Sequence, residues 1–313
     1  MGDAAGRVIS RLRPPRLGAG SRVALIAPAG PVNAERVERA LEQCRALRLE
    51  GVIGASALGR HGYLAATDAA RLTDLVSALA DPATDAIWAL RGGYGTMRLL
   101  AQLDSSALRD HPKAFIGFSD NTALHLAFAR AGVVTFHGPH AGGPFPPFAE
   151  HCFRRILFEA SPAGVLPMPA HVAKPHTLVP GKVEGHLAGG NLALLAATCG
   201  TGAALDARGA ILFIEDVGES TYRIDRSLAQ LRLAGALDGV AGLAFGAFTE
   251  PRPEDADPPL EDLFAELAET LGVPSVLGVP VGHIDENWTL PLGVRARLDA
   301  TAGMVEILDA AVT

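Results

Sequence analysis

Apolar residues in the first 140 positions follow two alternating patterns. Short unbroken runs, "RVALIAPAG" at 22–30, "DAIWALRGGYG" at 85–95, "AFIGFSD" at 114–120 and "VVTFHGP" at 133–139, each close on glycine, proline or polar residues. Runs of this length, bounded by turn residues, fit strands buried on both faces. Between them, "NAERVERALEQCRALR" at 33–48 and "DAARLTDLVSALAD" at 68–81 repeat apolar residues at helical spacing, with Asn33 placed as an N-cap. "TMRLLAQL" and the residues after Ser119 read as helical too. Strand, loop, helix and strand in repetition predict a mostly parallel sheet covered on both faces.

The pattern breaks over 141–182, which is rich in proline and keeps helical spacing only between 148 and 159. This stretch reads as a linker between an N-terminal domain, 1–140, and a C-terminal domain, 183–313. Past it, "GHLAGGNLALLAATCG" predicts a glycine-rich loop entering a helix, with His186 at the start of that loop. "GAILFIEDVGESTYRIDRSLAQLRLAGAL" repeats strand, loop and helix, and the tail from 274 to 308 predicts short strands joined by turns. The fold class is therefore α/β, a mostly parallel N-terminal sheet domain followed by a smaller, β-rich α/β domain.

With 313 residues, 49 % hydrophobic and 19 % charged, the chain has material for about two cores. Its formal net charge of −7 argues against a nucleic-acid partner, which calls for a basic face. No apolar run reaches the ~18–20 residues that cross a bilayer. The opening "MGDAAGRVISRLRPPRLGAG" has no apolar core of a secretory leader, and Gly6 stands where a myristoylation motif has Ser or Thr. Cys44, Cys152 and Cys199 are scattered, with neither disulfide nor metal-ligand spacing. No metal and no cofactor are expected.

Four polar clusters end apolar runs: Arg91-Gly92-Gly93-Tyr94-Gly95, Gly117-Phe118-Ser119-Asp120, Glu215-Asp216 with Gly218-Glu219, and Gly282-His283. The carboxyl ends of strands are where open α/β sheets bind ligands. A serine at a sharp strand-to-helix corner suits a nucleophile, provided that a histidine takes its proton and a carboxylate orients the histidine. The corner departs from the G-x-S-x-G elbow in having Asn121 at the second glycine position, a residue that tolerates left-handed backbone. The alternative is that Ser119 or Asp120 only caps the helix. His137 and His283, both ending apolar runs, are equal candidates for the base, and His125 falls inside the helix after Ser119. Glu215, at a strand end, is the better orienter, while Asp216 and Glu219 fit the start of the next helix. The paired glycines of "RGGYG" lack a phosphate-binding spacing. They would either let a backbone N–H approach a reacting oxygen, alongside the N–H of Asp120, or only make a tight strand-to-helix turn, and the motif alone does not decide between the two.

Seven segments in order, "RVALIAPAGPV", "AIWALRGGYGTMRLL", "FIGFSDNTALHLA", "HGP", "LAGGNLALL", "ILFIEDVGESTYRIDRSLAQLR" and "VGHIDENWTLPLGVRARLD", resemble the LD-carboxypeptidase (muramoyltetrapeptide carboxypeptidase) family of serine peptidases across residues 22–299. The resemblance implies a class I glutamine amidotransferase-like N-terminal domain and a Ser-His-Glu triad of Ser119, His283 and Glu215. It also implies an oxyanion hole from the amides of Gly93 and Asp120. The implied reaction is removal of the terminal D-alanine of a murein tetrapeptide during cell-wall recycling, by a cytoplasmic homodimer without metal. Arg91, Arg223 and Arg226 are candidates for the substrate carboxylate, and Asn287 and Trp288 for the pocket wall. Two other readings stand beside this one. Relatives within the family cleave peptide-nucleotide amides as antibiotic-immunity proteins, and a two-domain small-molecule binding protein would need no catalysis.

Overall fold

The computed structural model describes residues 11–252 and 257–313, so the reading of residues 1–10 as carrying no leader lies outside it. The first alternation folds as β1 (Arg22–Ile26), α1 (Ala34–Ala46), β2 (Glu50–Ile53), α2 (Asp68–Ala80), β3 (Ala86–Ala89), α3 (Ser105–Asp110), β4 (Ala114–Gly117), α4 (Thr122–Ala131) and β5 (Thr135–His137). These strands pair in parallel in the order β5-β4-β3-β1-β2. Asn33 caps α1 as expected, its Oδ1 accepting the Arg36 N–H at 3.0 Å. "TMRLLAQ" forms a 3-10 turn between β3 and α3. Because the strands are parallel, the loops after β1, β3, β4 and β5 leave from one edge of the sheet.

The remaining chain forms α5 (Pro147–Leu157), β6 (Gly164–Val165), β7 (His176–Val179), β8 (Lys182–Asn191), α6 (Leu192–Ala197), β9 (Ala210–Val217), α7 (Thr221–Leu233), β10 (Gly242–Thr249), α8 (Leu260–Leu271), β11 (Ser275–Leu277), β12 (Leu290–Leu292), β13 (Arg295–Asp299) and β14 (Met304–Ile307). Eight of these strands make a second, mixed sheet in the order β6-β14-β13-β8-β9-β10-β11-β7, with β8 to β11 parallel. Strand β12 instead crosses back and pairs antiparallel with β5. One apolar cluster runs from Leu25, Trp88 and Phe136 of the first sheet to Phe213, Val276 and Leu298 of the second. A core shared in this way fixes the two sheets against each other as firmly as a core fixes any packed pair of elements.

Two expectations need correction. Residues 185–191 are strand, not loop, and His186 lies inside β8. The glycines there serve close approach rather than turning. A Cβ at Gly185 would stand 2.5 Å from the Gly209 carbonyl oxygen, and one at Gly190 would stand 2.5 Å from Thr122 Oγ1. The same Thr122 hydroxyl accepts the Asn191 N–H at 3.0 Å, which ties the end of β8 to the start of α4. Asp216 does not open α7. It is still in β9 and accepts from Asn191 Nδ2 (2.8 Å) and the Ala193 N–H (3.0 Å), capping α6 instead. Burial raises its pKa to about 6.

Candidate active site

Strand β4 delivers its last residues to the crowded edge of the first sheet. Gly117 leaves little room for a side chain, since a Cβ would stand 3.2 Å from both Ala89 Cβ and the Asn121 amide, which would have to shift by a few tenths of an ångström. Phe118 continues extended, and Ser119 then takes φ +61°, the left-handed region that costs an L-residue about 1–2 kcal/mol. Asn121 was the residue expected to relieve the corner, but it is ordinary right-handed helix at φ −65° and ψ −9°. The strain falls on Ser119 because the turn must reverse there to start α4. Asn121 binds the corner together: its Nδ2 donates to the Phe118 carbonyl at 3.1 Å and lies 3.0 Å from His140 Nε2.

From the second sheet come Glu215, fully buried near the end of β9, and His283, in the loop after β11. His283 Nδ1 lies 2.7 Å from Glu215 Oε2, and its Nε2 lies 3.1 Å from Ser119 Oγ. With the carboxylate accepting from Nδ1–H, Nε2 is left unprotonated to accept the serine hydroxyl proton. The other Glu215 oxygen is buried with no hydrogen-bond partner among the described residues. A carboxylate desolvated to this degree gains much from a neighbouring imidazolium, which is the state that proton transfer from serine creates. The loop is pinned by Asn287, whose Oδ1 accepts the Gly282 N–H (3.2 Å) and whose Nδ2 donates to the Gly282 carbonyl (3.0 Å). Gly282 itself must lack a side chain, since a Cβ would stand 2.9 Å from Glu215 Cβ.

The loop after β3 lies directly against the serine. A Cβ on Gly92 would come within 2.8 Å of Ser119 Cβ, 3.0 Å of its Oγ and 3.2 Å of the Asp120 nitrogen. The Gly92 carbonyl is turned away, accepting the Gly30 N–H at 3.0 Å. In a trans peptide the N–H of Gly93 points opposite to that carbonyl. The Asp120 N–H, in the first turn of its helix, has no intrahelical acceptor. Asp120's own side chain turns inward, accepting the Thr96 N–H at 2.8 Å, and burial raises its pKa. Of the two amides that the resemblance implies, that of Asp120 follows the serine directly, and that of Gly93 belongs to the residue after Gly92, which packs against the serine.

Three further histidines stand behind the corner. His140 stacks on Phe118 with ring centroids 4.2 Å apart, and Phe118 meets His283 edge-on at 4.8 Å. His137 is fully buried, neither ring nitrogen has a hydrogen-bond partner among the described residues, and the ring packs on Phe213. Of His137 and His283, it is His283 that lies within hydrogen-bond distance of Ser119 Oγ. His125 bridges Thr135 Oγ1 and the Gly117 carbonyl, both at 2.8 Å. Burial holds all three well on the neutral side, His125 with its pKa lowered to about 4. Sequence reading missed His140. The only signal was its place three residues past His137, on the same sheet edge. Trp288 is buried, with Nε1 donating to the Pro167 carbonyl at 2.7 Å. Asn287, likewise buried, serves the His283 loop. Arg223 contacts the Tyr222 hydroxyl at 3.2 Å and Glu219 at 3.7 Å, and both Arg223 and Arg226 lie near the Tyr222 ring. Among the described residues no cluster of three potential metal ligands occurs and no helix is long and apolar enough to cross a membrane.

Two family models match the chain. Residues 23–138 match the LD-carboxypeptidase N-terminal domain, and residues 184–298 match the LD-carboxypeptidase C-terminal domain. A Streptomyces coelicolor chain that carries a carboxypeptidase name is 45 % identical over 95 % of this chain and 96 % of its own. The murein tetrapeptide carboxypeptidase of Pseudomonas aeruginosa is 39 % identical over 89 % of this chain and 93 % of its own. The structure superposes on the muramoyltetrapeptide carboxypeptidase of Oxalobacter formigenes with a TM-score of 0.83 at 33 % identity, covering 94 % of this chain and 100 % of that one. The microcin C7 self-immunity protein MccF gives a TM-score of 0.89 over 96 % of this chain and 100 % of its own, and at 24 % identity that likeness is one of fold.

Proposed function

The chain belongs to the LD-carboxypeptidase family, and from that premise we propose that it is a serine carboxypeptidase that removes the terminal D-alanine of murein tetrapeptides. The observation that carries this reading is the unbroken hydrogen-bonded line from Ser119 through His283 to buried Glu215, beneath a serine in left-handed backbone. In the proposed reaction His283 Nε2 takes the Ser119 proton as Oγ attacks the carbonyl carbon. The amides of Gly93 and Asp120 receive the resulting oxyanion. His283 then hands its proton to the leaving amine of D-alanine, and water, deprotonated by the same imidazole, hydrolyses the ester on Ser119. Glu215 holds the imidazole tautomer and stabilises the imidazolium. Residues 1–140 supply the nucleophile and the hole, residues 183–313 supply base and orienter, and 141–182 join them. Because Phe213 and Phe136 share one core, binding need not assemble the two halves from a distance.

The test is incubation of the purified protein with a murein tetrapeptide ending in D-alanine, followed by mass spectrometry, beside Ser119→Ala. Loss of one alanine with wild type alone supports the reading. No loss with either rejects tetrapeptide trimming and turns attention to peptide-nucleotide amides.

A further inference from the structure

Two arginines beside the loop after β3, Arg36 and Arg91, have no counter-ion among the described residues. Arg36 stands in the first turn of α1, where the helix dipole disfavours a cation. Its Nε donates to the carbonyl of Leu90, the residue before the "RGGYG" loop, at 2.6 Å, and a Cβ on Gly143 would lie 3.0 Å from its Nη2. Arg91 opens that loop, with Nη1 donating to the Pro31 carbonyl at 3.0 Å. Its Nε runs along the backbone, 3.7 and 3.9 Å from where a Cβ would stand on Gly30 and Gly93. Among the described residues, neither guanidinium has a carboxylate within ion-pair distance. The neighbouring acid, Glu35, is already taken by Arg39 at 2.7 Å. Arg36 is half-buried as well, and burial together with the charges of Arg39 and Arg91 lowers its pKa.

Like charges near one another, one of them half-buried, and without acids between them among the described residues, are stabilised when an anion joins them. The place of this pair says which anion. Gly92, between Arg91 and Gly93, is the residue whose Cβ would stand 3.0 Å from Ser119 Oγ. In a peptide cut at its last bond, the free carboxyl carbon is three covalent bonds from the attacked carbon, within about 4 Å of it. Arg91 is the residue before Gly92 on the loop that touches the nucleophile, so its side chain starts beside the bond to be cut. We propose that Arg36 and Arg91 anchor the free terminal carboxylate of the substrate, and so make the enzyme an exopeptidase. This assignment rests on the carboxypeptidase reading above.

The test compares kcat/KM for a murein tetrapeptide ending in free D-alanine with that for the same peptide ending in D-alaninamide. It is run on wild type, Arg36→Gln, Arg36→Lys and Arg91→Gln. Wild type should prefer the acid by roughly 10- to 100-fold, the range of a charged hydrogen-bond pair. Each glutamine variant should bring that ratio towards unity, chiefly through KM for the acid, and Arg36→Lys should recover part of it. Glutamine variants that keep the wild-type ratio, or that lose acid and amide equally, overturn the anchor. Arg91 is exposed and makes one backbone hydrogen bond, so Arg91→Gln keeps the test valid should an Arg36 variant fail to fold. Labelling of Ser119 in wild type by a neutral fluorophosphonate separates the two failures. Neither label nor alanine release strikes the carboxypeptidase reading itself. Label and release with an unchanged ratio in the variants strike only the anchor.

Discussion

Gly92→Ala alters the site while leaving Ser119, His283 and Glu215 in place. Gly92 is not in left-handed backbone, so the substitution acts by volume alone. The new Cβ would stand 2.8 Å from Ser119 Cβ and 3.0 Å from Oγ, against the 3.4 Å at which ordinary contact begins. Relief therefore needs a shift of several tenths of an ångström in the serine or in the loop, and neither is a flexible side-chain end. The same methyl lies 3.2 Å from the Asp120 nitrogen, in the space an oxyanion must occupy to accept from that N–H. Loss of one such donor costs roughly 10²- to 10³-fold in kcat, and misplacement of the attacking atom adds to it. The assay is the rate of D-alanine release under saturating tetrapeptide, with circular dichroism to establish folding. Gly202→Ala, where nothing lies within 4 Å, is the control for a tolerated substitution. Wild-type kcat in Gly92→Ala would refute the placement of the oxyanion hole between this loop and Asp120.

Because Ser119 carries φ +61°, Ser119→Gly should be more stable than Ser119→Ala by about 1 kcal/mol in urea unfolding, although both lack activity; equal midpoints would mean the corner stores no strain. Asn287→Ala removes both bonds to Gly282 and should lower kcat together with about 1–3 kcal/mol of stability, while unchanged kinetics would mean the His283 loop holds itself. Acid should destabilise the protein early: unfolding lets His125, His137 and His140 take up protons below their ordinary pKa near 6.5, which the fold denies them, so stability is full above that pH and falls as pH drops towards 4. Buried Asp120 and Asp216, with raised pKa values, act in the opposite sense over the lower part of that window, two groups against four once His186, lowered by burial as well, is counted. A urea midpoint that stays flat or rises between about pH 7 and 5 would contradict this account.

Much of this site was legible because parallel strands send their carboxyl ends to one edge, and Ser119, Glu215 and His283 each follow an apolar run. What periodicity does not carry is which way a strand-end side chain turns. His137 and His283 look alike in sequence. Only the placement of β5 between β4 and β12 puts His137 into the core against Phe213. The glycines from 185 to 190 were misread for a related reason. Glycine signals a turn locally, but here it makes room for chain that is distant in sequence, including Thr122 at the start of α4. Arg36 was invisible as a candidate: on α1 it looks like Arg39, and only the return of the chain at Leu90 and Gly143 sets the two apart.

The most direct test of the central claim is capture of the acyl-enzyme. Wild-type protein turning over a murein tetrapeptide is quenched in acid, digested and mapped by mass spectrometry. The account predicts a peptide carrying Ser119 with the added mass of the tripeptide acyl group, formed as D-alanine is released and absent from Ser119→Ala. An acyl group on any other residue, or alanine released as fast by Ser119→Ala, would contradict it.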